Sequence, residues 1–268
     1  MLHKITQKLN TIFELDTRKI LGRASYLLGS QAFSNLLSFA VAVAAAHFLS
    51  KDTYGTYRYI LSTVSFIGAF SLTGLSTAIV RESARGNDNL YRTSIKKSLM
   101  WSIPAMLIGI GVSVWYLING NTILGFSILV GGILFPFIQS LLLFRSYLNG
   151  KEFFKALMLS NIFYSSITSG VLLVTLFFKP SVVTLVYAYY ISNILATAIL
   201  SFIIKRYFKP NNNVDNDSKK LEHHMSIMNI LDTGATQLDK VLLFQIAGPV
   251  EVARYVFATI IPEQLRNV

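Results

Sequence analysis

Apolar runs of about 20 residues, the length a helix needs to cross a bilayer, recur along the chain and alternate with short polar stretches. Seven full runs fall at 25–48, 60–80, 98–118, 123–144, 156–178, 181–204 and 225–247, and an eighth begins near 255. Polar residues inside these runs return every three or four positions, so the pattern predicts helices with distinct faces. The expected fold is an all-α integral membrane protein, a polytopic helical bundle of seven full spans and a partial eighth. The residues ahead of the first run are polar and the run exceeds a signal-peptide core, so the first span is expected to stay in the membrane.

Composition agrees with that picture. Apolar side chains make up 53% of the chain and charged ones only 14%, against roughly 25% charged in an ordinary soluble domain. Cysteine is absent, which excludes a disulfide framework, thiolate metal sites and cysteine nucleophiles. The net charge of +11 would suggest nucleic acid in a soluble protein, but the position of the charges gives another reading. Lys and Arg number five before the first span (Lys4, Lys8, Arg18, Lys19, Arg23), five in 81–97, three in 145–155 and five in 205–224. The intervening loops hold Lys51, Arg58 and Lys179 alone, so alternate sides carry 18 and 3. By the positive-inside rule the N-terminus is cytoplasmic, nucleic acid is not an expected partner, and the protein is expected in the inner (cytoplasmic) membrane as a multi-pass protein.

Outside loops of about 11, 4 and 2 residues leave no room for an extracytoplasmic catalytic or receptor domain. Phosphate-loop, dinucleotide, zinc-protease and nucleophile-elbow patterns are absent. His223 and His224 are adjacent and lack a visible third ligand, so neither enzymatic activity nor a metal or cofactor is expected. Function is therefore expected inside the bundle. Residues 205–224, with Pro210, Asn211, Asn212, Asn213, Asp215, Asn216 and Asp217, read as a cytoplasmic linker. The predicted organisation is a cytoplasmic segment 1–24, a first six-helix lobe 25–204, the linker 205–224, and the start of a second lobe at 225–268.

A weak internal repeat supports the second lobe. Leu49-Ser50-Lys51-Asp52-Thr53-Tyr54-Gly55-Thr56-Tyr57 and Ala247-Gly248-Pro249-Val250-Glu251-Val252-Ala253-Arg254-Tyr255 each follow an apolar run, and Tyr57 aligns with Tyr255 at an offset of 198 residues. Six spans separate the two points, so orientation is preserved and a six-plus-six transporter architecture with parallel repeats is expected.

Several local sequences carry a family likeness. Ala46-His47-Phe48-Leu49-Ser50, followed by Gly55 and Tyr57, is similar to the end of the first helix in polysaccharide and O-antigen flippases of the multidrug, oligosaccharidyl-lipid and polysaccharide exporter superfamily. Gly74-Leu75-Ser76-Thr77-Ala78-Ile79-Val80-Arg81-Glu82 resembles the end of their second helix, and Asp239-Lys240 with Gly248-Pro249 and Tyr255 resembles their seventh. Ser50, Lys51 and Ala253 depart from the usual Gly and Pro. The resemblance implies about a dozen spans, so the chain reads as the first two thirds of such a transporter, cut short after its eighth span. It also implies a substrate, a polyprenyl-diphosphate-linked oligosaccharide used in polysaccharide or O-antigen biosynthesis. H+ or Na+ as a coupling ion and other polysaccharide assembly proteins as partners follow from the same likeness. A multidrug or cell-wall-precursor exporter of the same superfamily is the nearest alternative, and a membrane glycan polymerase or ligase is the alternative of another class.

Candidate residues follow from the faces of the helices. Gln31, Ser34, Asn35 and Ser38, continuing to Ala42 and Ala45, form one stripe on the first span, and Arg58, Ser62, Ser65, Ala69 and Ser76 form another on the second. Such stripes line a cavity or pack helix on helix. In the seventh span Asp232, Asp239 and Lys240 would each cost about 2.5 to 3.5 kcal/mol at the bilayer centre, so they need water or partners. Leu238, Leu242 and Ile246 lie opposite. Arg23, Gln31, Asn35, Arg58, Ser62 and Lys240 are thus candidates for substrate binding, the cations among them for phosphate oxygens. Asp232 and Asp239 are candidates for ion coupling. Arg81, Glu82 and Arg85 are expected as a cytoplasmic gate or anchor. Interfacial anchoring beside Tyr54, Tyr57 and Tyr59 is an equal reading of Arg58.

Overall fold

The computed structural model describes residues 17–69, 74–213 and 237–266, and every regular element among them is a helix. In chain order these are α1 (Thr17–Phe48), α2 (Lys51–Gly68), α3 (Leu75–Ala84), α4 (Asn89–Trp101), α5 (Ile103–Ile118), α6 (Thr122–Leu142), α7 (Phe144–Gly150), α8 (Phe154–Phe178), α9 (Val182–Phe208), α10 (237–247) and α11 (Pro249–Arg266). The chain is an all-α polytopic membrane protein. Five stretches are long and apolar enough to span: Ser25–Phe48, Asn89–Ile118, Thr122–Gly150, Phe154–Phe178 and Val182–Phe208.

The helices differ from the hydropathy runs in a consistent way. Apolar content marks only the middle of a span, whereas the backbone stays helical into its polar ends. Thus 81–97, expected as a basic loop, is mostly the end of α3 and the start of α4, and helix α7 carries the fourth span on to Gly150. The second run is also corrected. It starts at Lys51 and is divided, with α2 ending at Gly68 and α3 starting at Leu75, so Ser76 does not continue the face of Arg58 as one straight helix would require. The seventh run is described only from residue 237 onward.

One end of the bundle is held by short, capped turns. The Ser50 hydroxyl accepts from the Thr53 N–H at 3.1 Å, the Asn121 side chain accepts from the Leu124 N–H at 3.1 Å, and Ser181 forms a capping box with Thr184. These satisfy first-turn N–H groups that would otherwise be orphaned. The other end gathers the basic segments. Lys151 Nζ lies 2.8 Å from buried Asp88, which also accepts from the Asn211 N–H at 3.1 Å. Arg92 donates to the Pro210 carbonyl at 3.3 Å, and Arg23 pairs with Glu152 at 2.6 Å.

The surface between the ends is apolar. Leu36, Leu107, Trp115, Phe178, Leu195 and Phe202 are all exposed, while buried positions include Ser94, Ser113, Ser140, Ser160, Thr197 and Ser201. This arrangement suits a bundle in lipid, where small residues let helices approach and hydroxyls find partners inside the protein. Thr197 donates to the Asn193 carbonyl at 2.8 Å, and Ser113 on α5 donates to the Gly125 carbonyl of α6 at 2.8 Å. A side chain on Gly109 would come within 3.3 Å of the Gly132 backbone, so that pair sets the close crossing of α5 and α6.

The 198-residue offset reappears in the helix boundaries. Helix α2 starts at Lys51 and α11 at Pro249, each after a short break that follows a helix. The two helices pack together with their N-termini at the same end of the bundle, Tyr54 stacking on Phe257 with ring centroids 4.5 Å apart. A Cβ on Gly55 would sit 1.8 Å from the Pro249 carbonyl oxygen. Only glycine admits that approach.

Candidate functional site

Between α1, α2, α8, α9 and α11 lies a cavity of about 360 Å³. The three- and four-residue spacing of α1 brings Ser34, Ser38, Ala42 and Ala45 onto it. Helix α2 contributes Tyr54, Tyr57, Arg58 and Leu61; Tyr164, Ser165, Thr168 and Ser169 come from α8, and Tyr189 and Asn193 from α9. The lining thus combines phenol, hydroxyl and amide groups with one guanidinium. Arg58 is its single charged side chain among the described residues, and no described carboxylate faces it there. Its Nε is buried without a hydrogen-bond partner.

The cavity runs from the middle of the bundle toward the capped-turn end. Toward the basic end the lining stops at Ser34, Tyr164 and Asn193. Two hydrogen bonds join the helices at that level: the Ser34 and Ser165 hydroxyls lie 2.7 Å apart, and the Tyr164 hydroxyl donates to the Asn193 side-chain oxygen. The Asn193 amide nitrogen in turn donates to the Tyr189 carbonyl at 2.7 Å.

The sequence-predicted residues separate into distinct places. Arg58 and the Ser34, Ser38, Ala42 and Ala45 part of the first stripe reach the cavity. Gln31 and Asn35 lie beside it on α1, bonded to each other at 2.9 Å. Ser62 is buried away from the lining. Arg23 lies at the basic end in a second pocket with Glu152 and Phe154, held by the ion pair and with its guanidinium 5.7 Å from the Phe154 ring centre. Lys240 is buried on α10 outside the cavity lining. Asp239 accepts a hydrogen bond from the Tyr255 hydroxyl, tying α10 to α11. Asp232 lies outside the described residues. Arg81 and Arg85 are exposed at the basic end, and buried Glu82 accepts from the Asn87 amide at 3.2 Å and lies 3.9 Å from Arg85. These contacts lie within the end of α3 and the turn that follows it.

Sequence reasoning missed the α8 and α9 walls. Their signal was present: Tyr164, Ser165, Thr168 and Ser169 recur at helical spacing on the fifth span, as do Tyr189 and Asn193 on the sixth. It also missed the knot of Tyr59, Tyr116 and Gln245, in which the phenols lie 2.6 Å apart and the Gln245 amide donates to them at 2.8 and 2.7 Å. These three residues are scattered over α2, α5 and α10, and nothing in their local patterns joins them.

A family model described as polysaccharide biosynthesis protein matches residues 20–261. No curated protein and no solved structure matches the chain.

Proposed function

We propose, for a chain that belongs to the polysaccharide biosynthesis protein family, that it moves a polyprenyl-diphosphate-linked oligosaccharide across the cytoplasmic membrane by alternating access, with no covalent step. The observation that carries this reading is the lining of the cavity. A diphosphate head needs a cation and no nearby carboxylate, and Arg58 supplies the fork of donors that suits phosphate oxygens. A glycan needs hydroxyl, phenol and amide partners, and the α1, α8 and α9 walls hold them. The isoprenoid tail stays in lipid. An exporter of cationic drugs fits less well, because such a cargo calls for a carboxylate where the lining has Arg58.

The proposed orientation puts the basic end in the cytoplasm, in keeping with the 18-to-3 division of Lys and Arg between alternate sides. The cavity then leans toward the outer face, as expected of a release state. In this reading α1 to α9 form the first lobe, and α10 and α11 begin a second one related to it along the membrane normal. Asp239, and Asp232 seven residues before it, are the groups proposed to couple transport to H+ or Na+. Other polysaccharide assembly proteins would supply and consume the lipid-linked unit.

Equilibrium binding tests the assignment. Purified protein should bind a short polyprenyl-diphosphate oligosaccharide better than the uncharged polyprenol or the free glycan, and Arg58→Ala should remove the difference. Equal binding of charged and uncharged ligands would contradict it.

A further inference from the structure

We propose that Arg145 is a positioning residue that holds Tyr164 against Asn193, so that these residues and the Ser34–Ser165 pair form a polar floor closing the cavity toward the basic end. Arg145 lies on α7, outside the cavity lining, and its guanidinium carbon stands over the Tyr164 ring, 4.5 Å from its centre. Its Nε is buried without a hydrogen bond, and it pairs with no carboxylate among the described residues. A half-buried guanidinium with no carboxylate partner in a spanning segment is a candidate for a functional role. Here its attraction to the face of the phenol accounts for its place.

The geometry above the ring is equally specific. Bonding of the Asn193 amide nitrogen to the Tyr189 carbonyl at 2.7 Å leaves the Asn193 oxygen directed at the Tyr164 hydroxyl, which donates to it. The hydroxyl contact of 2.7 Å between Ser34 and Ser165 adds α1 to the same level. Three helices are thereby joined by side-chain bonds that one rotation of α1 or α9 against α8 would break. Removing the stacking cation, which lies outside the cavity lining, or the phenol hydroxyl at the cavity's lower edge loosens the floor.

The inference rests on the transport reading for its purpose, but the floor can be read without substrate. The chain has no cysteine, so Ser169→Cys, in the cavity wall, is a unique label site for a membrane-impermeant maleimide. Labelling from the basic-loop face should become about fivefold faster in Arg145→Leu and in Tyr164→Phe, the effect of losing one interhelical contact, and stay at the parent rate in Arg145→Lys, which keeps the cation over the ring. Labelling from the opposite face reports that each variant is folded. Should Arg145→Leu fail that control, Tyr164→Phe decides. An unchanged rate in Tyr164→Phe, or Arg145→Lys as fast as Arg145→Leu, overturns the floor. A floor that behaves as expected in a protein that binds no lipid-linked glycan keeps this inference and discards the transport reading.

Discussion

Arg58 is a charged residue inside a cavity that helices from separate parts of the sequence close around it. Its position on the first polar turns of the second span was visible in the sequence, but whether it faced headgroups or a cavity was not, because that depends on α8 and α9 closing opposite it. With the cavity walls in place, Arg58→Ala should weaken binding of the diphosphate ligand roughly 10- to 100-fold, the worth of a charge-assisted hydrogen bond. Arg58→Lys should recover part of that, since an ammonium keeps the charge but loses the fork. Isothermal titration with the two variants measures both, and an Ala variant that binds within twofold of the parent would remove Arg58 from the site. Arg145 teaches the reverse lesson. In the sequence it counts as one more cytoplasmic charge, and only the fold, by extending helix α7 beneath Tyr164, gives it a different role.

Among the elements, the junction of α2 and α11 is the most constrained contact. Gly55 admits the Pro249 carbonyl where any Cβ would collide with backbone, and neither backbone can yield without moving a helix start. Gly55→Val should therefore destabilise the protein by about 1 to 3 kcal/mol, the range for overpacking, and should separate Tyr54 from Phe257. Thermal unfolding in detergent reads the first effect, and a Tyr54→Cys, Phe257→Cys crosslink that forms in the parent background and fails beside Gly55→Val reads the second. Unchanged melting with an intact crosslink would show that the junction is looser than described. The repeat that relates these two helices was faint in sequence, a Tyr and a small residue at one offset, and it implied a second lobe rather than this contact. It became legible when both helices were seen to start at that offset. The outer face of α10 was easier: Leu238, Leu242 and Ile246, expected opposite Lys240, are exposed while Lys240 is buried. Breaks at Ser102 and Leu143 were not legible, because apolar sequence continues through both.

For the molecule as a whole, five of the predicted spans were legible in the sequence, since their length and apolar content follow from what a bilayer admits. The sequence did not reveal which helices enclose space. The ties at the basic end also needed the fold, for Asp88, Lys151 and Asn211 come from three separate segments. Asp88→Ala leaves Lys151 and Asn211 without their shared partner, and should lower stability by about 1.5 to 3 kcal/mol. Thermal unfolding of the variant measures it, and an unaltered melting temperature would mean the three segments are held by packing alone. Orientation is tested by single cysteines in the Cys-free chain. Asn212→Cys should react with impermeant reagent only from the cytoplasmic side and Asn119→Cys only from outside; the opposite pattern would invert the proposed topology. Carriage of a lipid-linked glycan through the cavity around Arg58 is measured most directly in proteoliposomes loaded with a fluorescent polyprenyl-diphosphate oligosaccharide. Unchanged substrate should reach the opposite leaflet, and Arg58→Ala should abolish its arrival; substrate that stays where it was loaded, or is extended into a longer glycan without crossing, would contradict the transport reading.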